Sequence, residues 1–111
     1  MPELPEVETY KKYTDSTCLD QKIVNIDCAD ERLLKKEFSD FKDALVDQSF
    51  TETQRIGKYL FLKTTGKYIL VMHFGMTGRP DYYYGEEARP RFAHIVYSFN
   101  NGYHFGFSNK R

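Results

Sequence analysis

Apolar residues recur every third position at the start of the chain, at Leu4, Val7, Tyr10 and Tyr13. That spacing lines one face of a helix and predicts one from Pro5 to Asp15, with the stripe buried. The helix ends carry matching signals. Pro5 has the fixed φ suited to a first helical position, Glu6 and Glu8 fall at the positive end of the helix dipole, and Lys11 and Lys12 lie toward its negative end. The period then shortens to two over Val24, Asn25, Ile26 and Asp27, which predicts a strand from Lys22 to Cys28 with one covered face. Asp30 to Phe38 is charged and fits neither period. A short helix follows, with Ser39 or Asp40 as N-cap and Phe41, Ala44 and Leu45 along it.

From Ser49 onward the pattern is β. Ser49 to Arg55 and Tyr59 to Thr64 read as two strands interrupted at Gly57, and Thr65-Gly66 turns the chain into a third, Lys67 to His73. Asn100-Asn101-Gly102 is a hairpin signal joining Phe92 to Phe99 with Tyr103 to Phe107. The Gly, Pro, Tyr and Arg residues between Gly75 and Pro90 read as a loop. Together these predict a mainly β chain with two flanking helices, a two-layer antiparallel β sandwich or flattened pseudobarrel.

Composition refines this picture. At 111 residues the chain is one domain, and nine Tyr with nine Phe suit a packed, strand-rich core. The zero net charge conceals an asymmetry. Residues 1–50 carry seven Lys and Arg against twelve Asp and Glu, whereas residues 51–111 carry nine against four, so the basic surface belongs to the second half. A domain polarised in this way can meet phosphate on one face. Cys18 and Cys28 match neither a zinc spacing nor a disulfide framework, and read as buried reduced thiols. No apolar run is long enough to span a bilayer and no signal peptide opens the chain. The expected location is the cytoplasm, or the nucleus of a cell that has one, with no membrane partner.

The first residues carry candidate chemistry. If Met1 is removed, as is usual before a small residue, Pro2 presents a secondary amine. An α-amino group titrates near pH 8, and a helix N-terminus disfavours its protonated form. Glu3 is within reach as proton donor or acceptor, an arrangement suited to attack on an aldehydic carbon and Schiff-base formation. The bland alternative is a capped helix start. Further on, Gly57-Lys58 would present a lysine at a sheet rim, or simply a solvated turn lysine. Gly75 and Gly78 around Met76 permit a turn that exposes an apolar side chain, as a wedge entering a base stack requires, unless Met76 is a core residue beside a strand end. Tyr82 to Tyr84 with Arg79, Arg89 and Arg91 form either a basic aromatic edge for nucleic acid or a packed loop.

The run Met1-Pro2-Glu3-Leu4-Pro5-Glu6-Val7-Glu8 resembles the N-terminus of the formamidopyrimidine-DNA glycosylase and endonuclease VIII family of base-excision repair enzymes. The stretch His73 to Arg79 resembles that family's HLGMSG motif and favours the formamidopyrimidine branch, with Phe74 and Thr77 as departures. Arg55 to Leu60 resembles the segment whose lysine contacts the DNA backbone. Ser108 to Arg111 aligns with the TDPRR-type segment, although Asn109 and Lys110 replace its Asp-Pro. His94 matches one histidine of a family strand, but Phe92 stands where a second is expected, and a packed histidine is preferred to a catalytic one.

The resemblance implies a bifunctional DNA glycosylase and AP lyase acting on oxidised purines. Pro2 would be its nucleophile, Glu3 its acid and Glu6 an orienting carboxylate. Lys58 and Arg111 would bind phosphate, Met76 would fill the vacated stack, and Arg79 and His94 would lie on the DNA side. It implies a monomer acting on double-stranded DNA with oxidised purines or abasic sites. It covers the N-terminal half of a family member, without the helix-two-turns-helix and zinc-finger parts, so no cofactor is expected in this segment and zinc belongs to the absent part. The alternative from another class is a non-catalytic module that binds damaged DNA or a protein partner, or an inactive excised fragment.

Overall fold

The computed structural model describes residues 4–29, 34, 37–73, 78–90 and 93–108. Helix α1 spans Leu4–Thr17 and helix α2 Phe38–Leu45. The strands are β1 (Ile23–Cys28), β2 (Phe50–Ile56), β3 (Tyr59–Thr64), β4 (Ile69–His73), β5 (Arg79–Tyr84), β6 (Ala93–Phe99) and β7 (Tyr103–Ser108), with one 3-10 turn at Glu86–Ala88. Among the described residues, all strand pairs are antiparallel. They form a four-stranded sheet in the order β1-β6-β7-β5 and a three-stranded sheet in the order β2-β3-β4. The sheets are joined at one corner. There Lys22 bridges Ser49, the Ile23 amide donates to the Gln48 carbonyl and the Asp47 amide to the Ile23 carbonyl. This is the expected sandwich or flattened pseudobarrel with two helices.

The alternation of β3 and β4 explains why the sheets stack. Leu60, Leu62, Leu70 and Met72 turn inward and meet Ile95, Tyr97, Phe99, Phe105 and Phe107 of the other layer in one buried cluster. Phe50 packs edge-on against Tyr97 and Phe99, with ring centroids 5.7 and 6.4 Å away. Edge-to-face pairs of this kind add about 0.5–1.5 kcal/mol beyond the area they bury.

Three local expectations change. The stripe of α1 that goes inside runs through Val7 and Thr14 and continues to Cys18 just past the helix end, while Tyr10 and Tyr13 are half-buried. Thr14 tolerates full burial because its hydroxyl donates to the Tyr10 carbonyl at 2.8 Å. Helix α2 begins one residue before the expected cap: Glu37 is the N-cap and makes no side-chain capping bond. The Gly75 to Pro90 stretch is not all loop, because Arg79–Tyr84 forms strand β5. Pro80 lacks an N–H and reads as a strand breaker, but β5 is a sheet edge, where proline is tolerated.

Candidate nucleic-acid interface

The direction of α1 sets the site. Asp15 accepts from the Thr53 hydroxyl, and Glu8, two turns earlier, pairs with Arg55 further along β2. The helix therefore runs antiparallel to β2, and its first turn is carried toward the turn that joins β2 to β3. That turn is Gly57-Lys58, closed by the Ile56–Tyr59 pair. Gly57 has φ +61° and Lys58 has no positive φ, the pattern of a type II′ hairpin with glycine first. Lys58 is half-buried there, at the rim where the sequence places it.

The same end of the three-stranded sheet receives the end of β4. His73 lies opposite Tyr59 in register, and their rings stand 4.8 Å apart. In the other sheet, Arg79 at the start of β5 and Ala93 at the start of β6 both lie opposite Ser108 at the end of β7. Helix α1 joins the two ends, since its Glu8 pairs with Arg55 of β2 and its Tyr13 hydroxyl accepts from the Tyr82 amide of β5. Burial is the first cause of the upward shift of the Tyr10 hydroxyl pKa, with Glu6 second. The start of α1, the Lys58 turn, the end of β4, the starts of β5 and β6 and the end of β7 thus face one end of the molecule.

Of the residues singled out by sequence, Glu6 is exposed in the first turn of α1, Lys58 sits at its turn, and His94 is half-buried near the start of β6. Arg79 is exposed, but its Nη2 donates to Asp81 at 3.1 Å, and this bond is the first cause of its raised pKa. A phosphate at Arg79 therefore competes with its own strand's carboxylate. Pro2, Glu3, Met76 and Arg111 lie outside the described residues, as does Arg91.

The tyrosine run divides between packed and exposed residues and lies in strand β5, not in a loop. Tyr82 stacks on Tyr103 with centroids 4.7 Å apart, Tyr83 is buried, and Arg89 pairs with Asp27 at 3.6 Å and with Glu86. Tyr84 is exposed, but at the opposite end of β5 from Arg79. Both cysteines are free thiols, Cys18 buried and Cys28 partly so. Among the described residues, no group of three or more His, Cys, Asp or Glu is placed to hold a metal ion, and no helix is long and apolar enough to cross a membrane.

The tie between Glu8 and Arg55 escaped the sequence reading. Arg55 donates through Nε to Glu8 Oε1 at 2.8 Å and through Nη1 to the Gly57 carbonyl at 2.9 Å, tying α1 to the Lys58 turn. The hydrogen bond from Arg55 is the main reason the Glu8 carboxyl titrates below its usual range. No local signal marks this pair, whose members come from a helix and from a strand far along the chain.

The fold and this end define a class: a two-layer antiparallel sandwich that presents its N-terminal helix beside a cationic turn. The chain belongs to the family of the formamidopyrimidine-DNA glycosylase N-terminal domain, whose family model matches residues 1–111. It is similar to the formamidopyrimidine-DNA glycosylase of Pelotomaculum thermopropionicum, 32% identical over 112 residues that take in 100% of this chain and 41% of that protein. The Moorella thermoacetica enzyme of the same name is 34% identical over 103 residues, covering 92% and 38% respectively. A crystal structure of Lactococcus lactis Fpg in complex with DNA containing an abasic site matches with a TM-score of 0.92 at 25% identity, over 99% of this chain and 41% of that one. The chain thus spans about two fifths of the length of these relatives.

Proposed function

We propose that this chain forms the catalytic face of a base-excision DNA glycosylase and AP lyase acting on oxidised purines and abasic sites in duplex DNA. The observation that supports this reading most is the gathering, at one end of the sandwich, of the helix start and strand ends that lead into the positions marked by the family resemblance.

In this reading the amine of Pro2, freed by loss of Met1, attacks C1′ of an extruded nucleotide with its lone pair. The glycosidic bond breaks, and the proton shed by the amine goes to the leaving base. Glu3 protonates the ring oxygen as the sugar opens, leaving an iminium at C1′. Loss of the C2′ proton then expels the 3′ phosphate, a second elimination expels the 5′ phosphate, and water releases the amine. Glu6 orients this centre, and Lys58 and Arg111 hold the flanking phosphates. Arg79 and His94 lie on the DNA side, and Met76 occupies the space left in the stack. Amine, carboxylates and cations suffice for these steps, so this segment needs no cofactor of its own. The substrate locates the protein with the DNA, on the nucleoid in the cytoplasm or in a nucleus.

Borohydride trapping of the Met1-free chain on abasic-site duplex tests the proposal, with Pro2→Gly and Glu3→Gln alongside. A covalent adduct at residue 2, lost in Pro2→Gly, is the expected result. Saturated DNA binding without any adduct would overturn the catalytic reading and leave a binding module.

A further inference from the structure

Arg55 stands where α1, β2 and the Lys58 turn meet. Its guanidinium donates simultaneously to Glu8 Oε1 at 2.8 Å and to the Gly57 carbonyl at 2.9 Å. A planar fork with five donors can do this, whereas a lysine ammonium is a single point charge on a flexible stem. The Arg55 side chain is 28% exposed, so water competes less for it than for a surface arginine. The hydrogen bond from Arg55 lowers the Glu8 pKa below the ordinary carboxylate value.

A second tie makes the first geometrically effective. Thr53 donates to Asp15, so β2 holds α1 at two points seven residues apart, which fixes the sliding of the helix as well as its tilt. Seven helical residues rise about 10 Å, against about 7 Å for the two strand residues between Thr53 and Arg55. The long arginine side chain makes up the difference. Its other contact faces the backbone of the β2–β3 turn, one residue before Lys58.

We propose that Arg55 is a positioning residue: through Glu8 and Gly57 it sets the start of α1, the element that Pro2 leads into in the sequence, against the turn that carries Lys58. Nucleophile and phosphate ligand are then held to a single nucleotide. The inference rests on the Schiff-base reading given above. Two Arg55 donors are already engaged with protein groups, so its loss lowers rate rather than affinity. A misplacement of about 1 Å can cost on the order of a hundredfold in rate.

The test measures single-turnover trapping and Kd on abasic-site duplex with the Met1-free full chain, for Arg55→Ala, Lys58→Ala and the double variant. Arg55→Ala is expected to slow trapping about tenfold or more with Kd changed less than about twofold. In the Lys58→Ala background the same change is expected to cost less than about twofold, since the group being positioned is gone. Equal fold losses in both backgrounds, or a Kd loss as large as the rate loss, overturn the proposal. Arg55→Lys keeps a cation for Glu8 and guards against a simple folding defect. It should melt close to the unmodified chain yet trap slowly, and full recovery of rate overturns the role given to the Gly57 contact.

Backbone amide NMR separates this inference from the lyase reading. Glu8→Gln should shift the Gly57 and Lys58 amide signals through Arg55, and unchanged signals overturn the clamp. Shifted signals in a chain that forms no adduct overturn the lyase reading while the coupling of α1 to the turn stands.

Discussion

Position 57 is decided by a single backbone angle. A Cβ built on Gly57 meets nothing within 4 Å, so space does not demand glycine, but its φ of +61° does. Gly57→Ala is therefore expected to cost about 1–2 kcal/mol through left-handed strain alone, read as a lower urea midpoint at unchanged m. Cys18 shows burial acting on chemistry instead. Desolvation pushes its thiol from the ordinary 9.0 up to about 12. Between those values the unfolded chain has lost a proton that the folded chain keeps, so stability is intact below the lower value and falls as pH rises through the window. Urea unfolding should show a lower midpoint at about pH 10.5 than at about pH 8, with the drop reduced in Cys18→Ala. In the native state at about pH 8, alkylation should reach the partly exposed Cys28 before Cys18.

Elements differ in how openly the chain announces them, and β5 was the least legible. Its opening Arg-Pro-Asp is turn-like by composition, and its strand character comes from partners distant in sequence. The Tyr82 amide donates to the Tyr13 hydroxyl at 2.6 Å, so helix α1 caps the outer side of this edge strand while β7 pairs with the inner side. Tyr13→Phe should leave that amide unpartnered, at a cost of about 1–3 kcal/mol, and speed its hydrogen exchange more than that of β6 amides. By contrast, Gly57 and Asn100-Asn101-Gly102 revealed their hairpins because turn geometry restricts residue type locally. The core face of β3 and β4 was not legible in the same way: Leu60, Leu62, Leu70 and Met72 point inward, but Tyr59, Ile69 and Val71 on the other face are also apolar, so the local pattern does not say which side is covered. Of the candidate site, Lys58 and the helix start were legible through motif resemblance. The Glu8–Arg55 tie was not, because an ion pair between a helix and a distant strand leaves no local pattern.

At the scale of the whole molecule, folding redistributes the charge asymmetry of the sequence. Two cations of the basic second half neutralise anions of the acidic first half, Arg55 on Glu8 and Arg89 on Asp27, while Lys63 and Arg79 pair with Glu52 and Asp81 nearby. The excess of nine cations over four acids in residues 51–111 therefore overstates what a phosphate backbone would meet. If Lys58, Arg79 and Arg111 are the phosphate ligands of the proposed site, at roughly 0.9 counterions released per contact, log K should fall with log salt at a slope of about −2 to −3. Lys58→Ala should make that slope shallower by about one, whereas Arg89→Ala should leave it unchanged, because Asp27 and Glu86 already hold its guanidinium. Fluorescence titrations of an abasic-site duplex across a salt series would measure both slopes. A slope steeper than about −5 would mean that a broad basic face binds DNA, against the narrow end defined by the Lys58 turn and the start of β5.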